Sequence, residues 1–423
     1  MRKSTFPLEQ DLGICWYASD ADGIGGRLRA AAEDFYVEEI PAEKKQTDGP
    51  FLICRLTKRN WELQHAVKEI AKRLGISHRR IGWAGTKDRN AVTIQRISLY
   101  DVPPEQVAGI SLKDITIVPV GRSNEALSLG DLQGNRFDIM IRDPDPADLE
   151  ARVQEISASV ATGIPNYFGI QRFGAIRPVT HRVGEWILRG DYEKAVLTYI
   201  GTEFPGEPEE IRKIRAAFTA TRDPVPALHA LPVQMNYERA MLHHLAGHPY
   251  DYAGALHELP PKLLSMFVSA FQSYLFNRAL SRRIDDGYGL DDPQPGDHLL
   301  FANGRTDTVT DTNLDAVKIH LNRGRCSIAL FMPGKEKAGP GTPGERSAAE
   351  HLAEHAITPE DFSRASVFVR TKFEGAWRPV LLRTDIRASL EAGDLRLKFT
   401  LPPGHYATTV CREFMKADPV RMV

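Results

Sequence analysis

The chain has 423 residues, 42% of them hydrophobic and 26% charged, which predicts two or three folded domains and excludes a mainly disordered protein. Its 54 basic and 55 acidic residues give a formal net charge of -1, which argues against a polybasic binder but allows a local basic cleft. The sequence has no long apolar run and no apolar segment behind its N-terminus, so we expect a cytoplasmic protein without a transmembrane helix or secretory signal.

Cysteine usage is typical of a reducing compartment. Cys15, Cys54, Cys326 and Cys411 are far apart in the sequence, and none belongs to a C-x-x-C motif. The pattern therefore predicts neither a disulfide framework nor a zinc site, and we expect no metal. We interpret the four cysteines as small buried hydrophobic residues.

The N-terminal region shows strand patterning. Residues 30–56 are predicted to form short strands around a polar turn at residues 44–49. Phe35 and Val37 alternate with polar neighbours, which is typical of a strand with one buried face. Residues 92–99 are rich in β-branched side chains and predict another strand.

Two helices are predicted in the same region. Over residues 63–74, apolar side chains recur at spacings of three and four. Asn60 can cap this helix and Gly75 can end it. A second helix is expected over residues 148–160 on the same spacing argument.

Beyond residue 163 the pattern becomes helical, and strand patterning returns at residues 395–400. The strongest helix is predicted over residues 261–284. Its expected core-facing stripe consists of Leu263, Met266, Phe267, Ala270, Phe271, Tyr274 and Leu275. We infer a β-containing core that is interrupted by a large helical insertion.

A glycine-rich segment at residues 333–344 is predicted to be a surface loop. Its glycine spacing is that of a phosphate-binding P-loop, but Glu345 and Arg346 stand where Lys and Ser or Thr are required. Nucleotide hydrolysis is therefore not predicted.

The densest group of chemically active residues surrounds Asp88. Between residues 72 and 96 it is the only acid among seven basic residues, which include Arg79, Arg80, Lys87 and Arg89. Nearby positive charge favours the ionised carboxylate, which can act as a nucleophile or a base. The same charge suits an RNA or DNA backbone. A surface aspartate that closes a turn after Gly85 explains the pattern equally simply.

Three other segments combine aromatic residues with amides, basic residues or glycines. Residues 134–137 (GNRF) and 166–174 (NYFGIQRFG) can stack on bases or form a folded corner. In residues 401–408 (LPPGHYAT), a Pro/Gly turn puts Tyr406 at the rim of a strand, where an aromatic ring more often packs than reacts.

Taken together, these segments resemble the TruD family of tRNA pseudouridine synthases over nearly the whole chain. The resemblance is carried by AEDF at 32–35, AGTKDRNAVTIQ at 84–95, GNRF at 134–137, PNYFGIQRFG at 165–174, SAFQSYLFN at 269–277 and LPPGHYAT at 401–408, followed by VCRE. Six ordered motifs are far more specific than any one of them.

The resemblance implies an α+β fold, in which a pseudouridine-synthase core with a mixed, largely antiparallel sheet is interrupted by a mostly helical insertion. We expect the catalytic core at residues 1–162 and 383–423 and the insertion at residues 163–382. The insertion is expected to select the RNA.

The resemblance also implies the site. The family's catalytic aspartate falls on Asp88, and its uridine-contacting positions fall on Phe35, Asn135 and Tyr406, the last often being Phe in the family. The implied reaction converts a uridine to pseudouridine, at position 13 in the D-arm of tRNA, without a cofactor or metal. Arg79, Arg80, Lys87 and Arg89 are then expected to contact the RNA backbone.

Two alternatives remain open from the sequence. A non-catalytic RNA-binding or tRNA-chaperone protein of the same fold keeps the basic and aromatic residues but does not need Asp88. A carboxylate hydrolase such as a glycosidase usually needs two carboxylates, and Asp88 has no acidic neighbour in sequence. The sequence does not choose between attack of Asp88 on C1′ and removal of a C2′ proton, and it does not predict the oligomeric state.

Overall fold

The computed structural model describes residues 1–42, 47–174, 176–336 and 342–422. The chain divides into two compact units. The helical unit contains Met1–Tyr17 and Pro165–Leu382, and the sheet unit contains Ala18–Ile164 and Arg383–Val423. The first 17 residues thus belong to the helical unit, and the domain assignment expected from the sequence stays a prediction. The division of labour between the two units stays a prediction.

The strands of the described residues are, in chain order, β1 (Arg2–Lys3), β2 (Trp16–Tyr17), β3 (Gly25–Arg27), β4 (Phe35–Pro41), β5 (Phe51–Arg59), β6 (Ile81–Trp83), β7 (Val92–Tyr100), β8 (Ile115–Ser123), β9 (Leu132–Pro144), β10 (Ile164–Pro165), β11 (His298–Phe301), β12 (Thr306–Thr308), β13 (Cys326–Met332), β14 (Ala376–Pro379), β15 (Leu381–Leu382), β16 (Arg387–Glu391) and β17 (Asp394–Leu401).

The α-helices of the described residues are, in chain order, α1 (Pro7–Asp11), α2 (Leu63–Leu74), α3 (Pro104–Ala108), α4 (Leu149–Val160), α5 (Thr180–Arg189), α6 (Tyr192–Gly201), α7 (Glu209–Thr221), α8 (Pro224–Ala230), α9 (Asn236–Gly247), α10 (Tyr252–His257), α11 (Pro261–Asp285), α12 (Leu314–Asn322), α13 (Pro343–Glu354), α14 (Pro359–Val369) and α15 (Ala407–Met415).

The sheet unit is built on a mixed sheet, which has nine strands within the described ranges. The strands lie in the order β16-β17-β9-β4-β7-β5-β8, with β3 beside β9 and β6 beside β7. Strands β4 and β7 run parallel, and the other described pairs of this sheet are antiparallel. The expected mixed, largely antiparallel sheet is therefore confirmed.

Along each strand, residues that point to the core alternate with residues that point away from it. This alternation gives the sheet an apolar face. Phe35 and Val37 of β4 are buried opposite Ile139 and Phe137 of β9. The alternation predicted at Phe35 and Val37 is confirmed. The polar turn expected at residues 44–49 falls partly on residues 43–46, which lie outside the described part of the chain.

Helix α2 packs on β5 and β7 through the apolar residues that its spacing predicts. The Glu62 carboxylate caps its N-terminus by accepting a hydrogen bond from the backbone N–H of His65, at 2.7 Å. The cap predicted at Asn60 is therefore wrong: Asn60 has φ of 57° in the bend that leaves β5. Gly75 ends the helix with φ of 65°, as predicted.

In the helical unit, α11 confirms the longest predicted helix, but it is buried on more than one side. Eight consecutive residues from Ala270 to Asn277 are buried. Met266, which the sequence assigned to the core stripe, is 40% exposed. Among the helices of the described ranges, none combines the length and the apolar composition that a membrane span requires.

The glycine-rich segment includes residues 337–341, which lie outside the described ranges. The residues that follow it begin helix α13. Thr342 and Glu345 form a reciprocal capping box at its N-terminus, which gives Glu345 a structural role at the position where a P-loop has Lys. Of the cysteines, Cys54, Cys326 and Cys411 are buried free thiols, as predicted, and Cys15 is half-buried.

Candidate active site

Asp88 lies in the loop of residues 84–91, which joins β6 to β7 in the sheet unit. Its side chain is 42% exposed. Two backbone features shape the loop. The carbonyl oxygen of Gly85 accepts a hydrogen bond from Gln95 Nε2, at 3.0 Å, and a Cβ atom on Gly85 would lie 3.1 Å from Lys87 Nζ. Gly85 therefore leaves room for the Lys87 ammonium group beneath the loop.

Lys58 holds the Asp88 backbone from inside the sheet. Its Nζ donates a hydrogen bond to the Asp88 carbonyl oxygen at 2.7 Å, and the side chain is fully buried on β5, opposite Thr93 of β7. Burial lowers the pKa of Lys58 to about 8, although the nearby Asp88 and Glu62 charges oppose that shift. The carbonyl of the candidate catalytic residue is thus bound by a buried amine.

Arg29 approaches the Asp88 carboxylate from a different segment. Arg29 Nη2 lies 3.4 Å from Asp88 Oδ1, and Nη1 donates to the backbone oxygen of Met422 at 3.0 Å. The arginine side chain is 7% exposed, and its guanidinium carbon lies 3.8 Å from the centre of the Phe35 ring. Burial lowers the pKa of Arg29 from its usual value, and the Asp88 charge opposes that shift. The counter-charge of Asp88 therefore comes from a residue that is remote in sequence.

Phe35 is 1% exposed, and its expected contact with the uridine stays a prediction. One face of the ring is covered by Arg29, and the ring packs edge-on against Phe137 with the two centroids 6.4 Å apart. In this arrangement Phe35 supports the Arg29 guanidinium by a cation–π contact. Direct stacking of Phe35 on a uracil requires that groups which bury the ring move.

Lys87 and Glu39 form a buried ion pair. The Lys87 Nζ to Glu39 Oε2 distance is 2.8 Å, and the two side chains are 4% and 1% exposed. The other carboxylate oxygen of Glu39 accepts the backbone N–H of Arg96 at 3.0 Å. The Lys87 ammonium group therefore faces Glu39 inside the sheet unit, and the RNA contact expected of Lys87 stays a prediction.

Asn135 lies on the same face of the sheet as this ion pair. It is directly opposite Glu39 of β4 and Leu401 of β17, and directly opposed residues of antiparallel strands point to one side. Its side-chain oxygen Oδ1 is buried and accepts no hydrogen bond from the described residues. The structure therefore brings Asn135 to the Glu39–Lys87 pair beneath the Asp88 loop.

Tyr406 begins helix α15 instead of standing at the rim of a strand. Strand β17 ends at Leu401 beside Asn135, the chain turns through Gly404 with φ of 78°, and Tyr406 is the half-buried N-cap residue of α15. The helix is buried along its whole length. Tyr406 thus lies at the start of a buried helix, a few residues after the end of β17 that is opposite Asn135.

The arginines close to Asp88 in sequence are spread out in the structure. Strand β6 pairs with the C-terminal end of β7, and Arg80 donates to the Tyr100 carbonyl at that end, at 2.9 Å through Nε. Asp88 precedes the other end, and nine extended residues span roughly 27 Å. Arg79 and Arg89 are exposed, and their side chains form no ion pair within the described ranges. All four expected RNA contacts stay predictions, and Arg79 and Arg89 are the two of these residues that are exposed.

Sequence reasoning missed Arg29, Lys58 and Glu39. Two of these three residues could have been recognised from the strand pattern of the sequence. Lys58 follows Leu52, Cys54 and Leu56 at the inward positions of β5, and Glu39 follows Phe35 and Val37 at those of β4. A charged residue at an inward strand position needs a partner or a function. Arg29 lies in a short irregular segment and has no comparable signal.

Comparisons with known proteins agree over nearly the whole chain. A family model described as tRNA pseudouridine synthase D (TruD) matches residues 11–414. A protein of Methanococcoides burtonii named "Probable tRNA pseudouridine synthase D" is 40% identical over 434 residues, which cover 98% of each chain. A protein of the same name from Halobacterium salinarum is 38% identical over 444 residues, covering 99% of this chain and 100% of the relative.

The fold agrees as well. The crystal structure of TruD from Methanosarcina mazei matches this structure with a TM-score of 0.81 at 37% sequence identity. The match covers 99% of this chain and 100% of the crystallised one. Because the family model, the sequence relatives and the solved structure all extend over nearly the full length, the chain belongs to the TruD family of tRNA pseudouridine synthases.

Proposed function

We propose that this protein isomerises a uridine of tRNA to pseudouridine, with Asp88 as the catalytic carboxylate and without a cofactor. The target we propose is uridine 13 in the D-arm. The observation that carries the proposal is the Asp88 carboxylate itself, which is part-exposed while its backbone is bound by the buried Lys58. Family membership supplies the reaction class.

The chemistry needs one ionised carboxylate and a way to hold a free base. The N1–C1′ bond of uridine breaks, the uracil turns, and a C5–C1′ bond forms. The C5 proton is lost and N1 gains a proton, so atoms and electrons balance without an external oxidant or reductant. Asp88 either attacks C1′ or removes the C2′ proton to give a glycal. Both routes use the carboxylate form of Asp88, and Arg29 Nη2 supplies a counter-charge 3.4 Å from its Oδ1.

Asn135 and Tyr406 are proposed to hold the uracil while it turns. A side-chain amide can donate to and accept from the edge of a uracil, and Asn135 Oδ1 accepts no hydrogen bond from the described residues. Tyr406 offers a half-buried ring on a helix start. Phe35 acts through Arg29 in this proposal. A uridine inside folded tRNA must leave its stack to be reached, and the exposed Arg79 and Arg89 can bind flanking phosphates.

The helical unit is proposed to select the RNA. The residues proposed for chemistry, Asp88, Asn135, Tyr406, Arg29 and Lys58, all belong to the sheet unit. Exchange of exposed parts of residues 165–382 should therefore change which RNAs are modified and leave the isomerisation step intact.

The two alternatives have less support from the site. A glycosidase needs a second carboxylate as proton donor, and Glu39 is held in a buried pair with Lys87. A non-catalytic RNA binder does not require the buried Lys58 under Asp88. The test is to incubate the protein with unmodified tRNA transcript and to map pseudouridine by position, with a transcript carrying cytidine at position 13 as the control.

Pseudouridine at position 13 of the first transcript alone is the expected result. Pseudouridine elsewhere would change the proposed target. Tight tRNA binding without any pseudouridine would favour the RNA-chaperone alternative, and release of free uracil would favour the hydrolase.

A further inference from the structure

We propose that Lys58 is a positioning residue of this enzyme, whose buried amine fixes the Asp88 carboxylate by binding the backbone carbonyl of the same residue. This inference rests on the proposed role of Asp88. It assigns a function to a lysine that lies inside the sheet unit and cannot reach RNA from there, because it is fully buried.

Lys58 lies in apolar surroundings, where an ammonium group is unfavourable unless it has a specific role. The preceding inward residues of β5, Leu52, Cys54 and Leu56, belong to the apolar cluster under α2. Burying an ammonium group costs free energy unless it is paired and hydrogen-bonded. Within the described ranges, its one hydrogen bond is to the Asp88 carbonyl oxygen, at 2.7 Å.

The carboxylates near Lys58 act on it without contact. Asp88 and Glu62 interact with the ammonium through their charge and raise its pKa, whereas the neighbouring Lys87 lowers it. A purely structural buried lysine is normally paired with a carboxylate, as Lys87 is with Glu39 at 2.8 Å. Lys58 instead donates its hydrogen bond to the backbone carbonyl of Asp88, the residue whose position matters for the reaction.

The position of that hydrogen bond explains its effect. The loop of residues 84–91 has no β-ladder to hold it between β6 and β7. Lys58 binds Asp88 at its backbone, and Arg29 contacts it at the carboxylate, 3.4 Å from Oδ1. A catalytic group that is 1 Å out of place can lose about a hundred-fold in rate. Asp88 is therefore held at two points, which are its backbone carbonyl and its carboxylate.

The same geometry predicts opposite effects of pH on rate and stability. The pKa of Lys58 is lowered to about 8 in the folded protein, against an ordinary value of 10.5. Between those values the unfolded chain binds more protons than the folded one, so stability contributed by Lys58 rises with pH. Over the same range the ammonium becomes a neutral amine and a weaker donor. The isomerisation rate should therefore fall as pH rises through about 8.

The experiment compares Lys58→Met with Arg55→Met, a change of an exposed residue on the same strand but the opposite face. Loss of a charged hydrogen bond predicts a single-turnover rate lower by roughly ten- to a hundred-fold in Lys58→Met. Its tRNA dissociation constant should stay within about two-fold, and its melting temperature should be unchanged or higher, because a buried charge is removed. Arg55→Met should match wild type in rate.

Hydrogen exchange of the amides between residues 85 and 91 provides a readout that needs neither RNA nor activity. Faster exchange in Lys58→Met than in Arg55→Met supports the proposal. Unchanged exchange together with a wild-type rate overturns it, as does a rate loss fully explained by a lower melting temperature. If Lys58→Met does not fold, the wild-type rate profile decides, and a rate that is flat or rising between pH 7.5 and 9 overturns the proposal. Failure of wild type to form pseudouridine would refute the proposed function, while the exchange result would still test Lys58.

Discussion

Arg29 and Asp88 are 59 residues apart in sequence, and the structure brings the guanidinium Nη2 to 3.4 Å from the carboxylate Oδ1. The arginine is held in turn by the Phe35 ring and by the backbone oxygen of Met422. Three distant segments of the chain therefore meet at one side chain. Phe35 packs against the Arg29 guanidinium, whose carbon lies 3.8 Å from the centre of the ring.

Arg29→Met tests this support. The change removes the positive charge but keeps an unbranched side chain over Phe35. We expect the single-turnover rate to fall by at least ten-fold, because Asp88 loses its counter-charge and one of its two contacts. Arg29→Lys keeps the charge and should recover part of the rate. Equal rates in wild type and Arg29→Met would show that the contact has no part in the reaction.

The buried pair of Lys87 and Glu39 is predicted to serve stability. Lys87→Met leaves the buried Glu39 carboxylate without its ionic partner, and such a loss typically costs about 3–5 kcal/mol. Adding Glu39→Gln should restore much of that loss. Arg136→Met provides the matched control, because Arg136 of β9 pairs with Glu38, the neighbour of Glu39 on β4. This pair is exposed, and such pairs contribute about 0–1 kcal/mol. Denaturant unfolding measures all of these variants, and a similar small loss for Lys87→Met and Arg136→Met would contradict the interpretation.

The main elements of the sheet unit could be predicted because they depend on local patterns. The alternation at Phe35 and Val37, the spacing within α2 and the stop at Gly75 are each determined by neighbouring residues. The surroundings of Asp88 could not be predicted in this way. Its cations come from β5 and from residue 29, and they meet it only because the sheet places β5 and β4 on either side of β7.

Sequence proximity was also misleading for the basic residues. Arg80 lies eight positions before Asp88, but β6 carries it to the far end of β7. Lys87 is the immediate neighbour of Asp88, and its ammonium group points inward to Glu39. In both cases the direction of a strand or of a side chain decides the contact, and composition does not contain that information.

Arg79 and Arg80 form a natural pair for testing RNA contacts. Arg79 is exposed, whereas Arg80 donates hydrogen bonds to the carbonyl oxygens of Tyr100 and Asp101. We expect Arg79→Ala to weaken tRNA binding and to lower the salt slope by about one per lost phosphate contact. Arg80→Ala should mainly lower thermal stability. Binding measured from low to moderate salt distinguishes them, and an unchanged slope for Arg79→Ala would remove it from the RNA surface.

Tyr406 is predicted to act through its ring. Tyr406→Phe keeps the aromatic face and should remain active, whereas Tyr406→Ala should lose much of its rate, since base stacking contributes about 1–3 kcal/mol per base. Single-turnover rates should be measured well below both melting temperatures, because Tyr406 also begins the buried helix α15. A stable, fully active Tyr406→Ala would exclude the residue from the site. An inactive Tyr406→Phe would instead indicate a role for the hydroxyl group.

The most direct test of the central claim is pseudouridine formation at position 13 of unmodified tRNA by Asp88→Asn beside wild type. The substitution nearly preserves size and removes the negative charge. We predict that wild type forms pseudouridine and that Asp88→Asn forms none, while its tRNA affinity stays within a few-fold because phosphate contacts dominate binding. Near wild-type turnover by Asp88→Asn would contradict the assignment of Asp88 as the catalytic carboxylate.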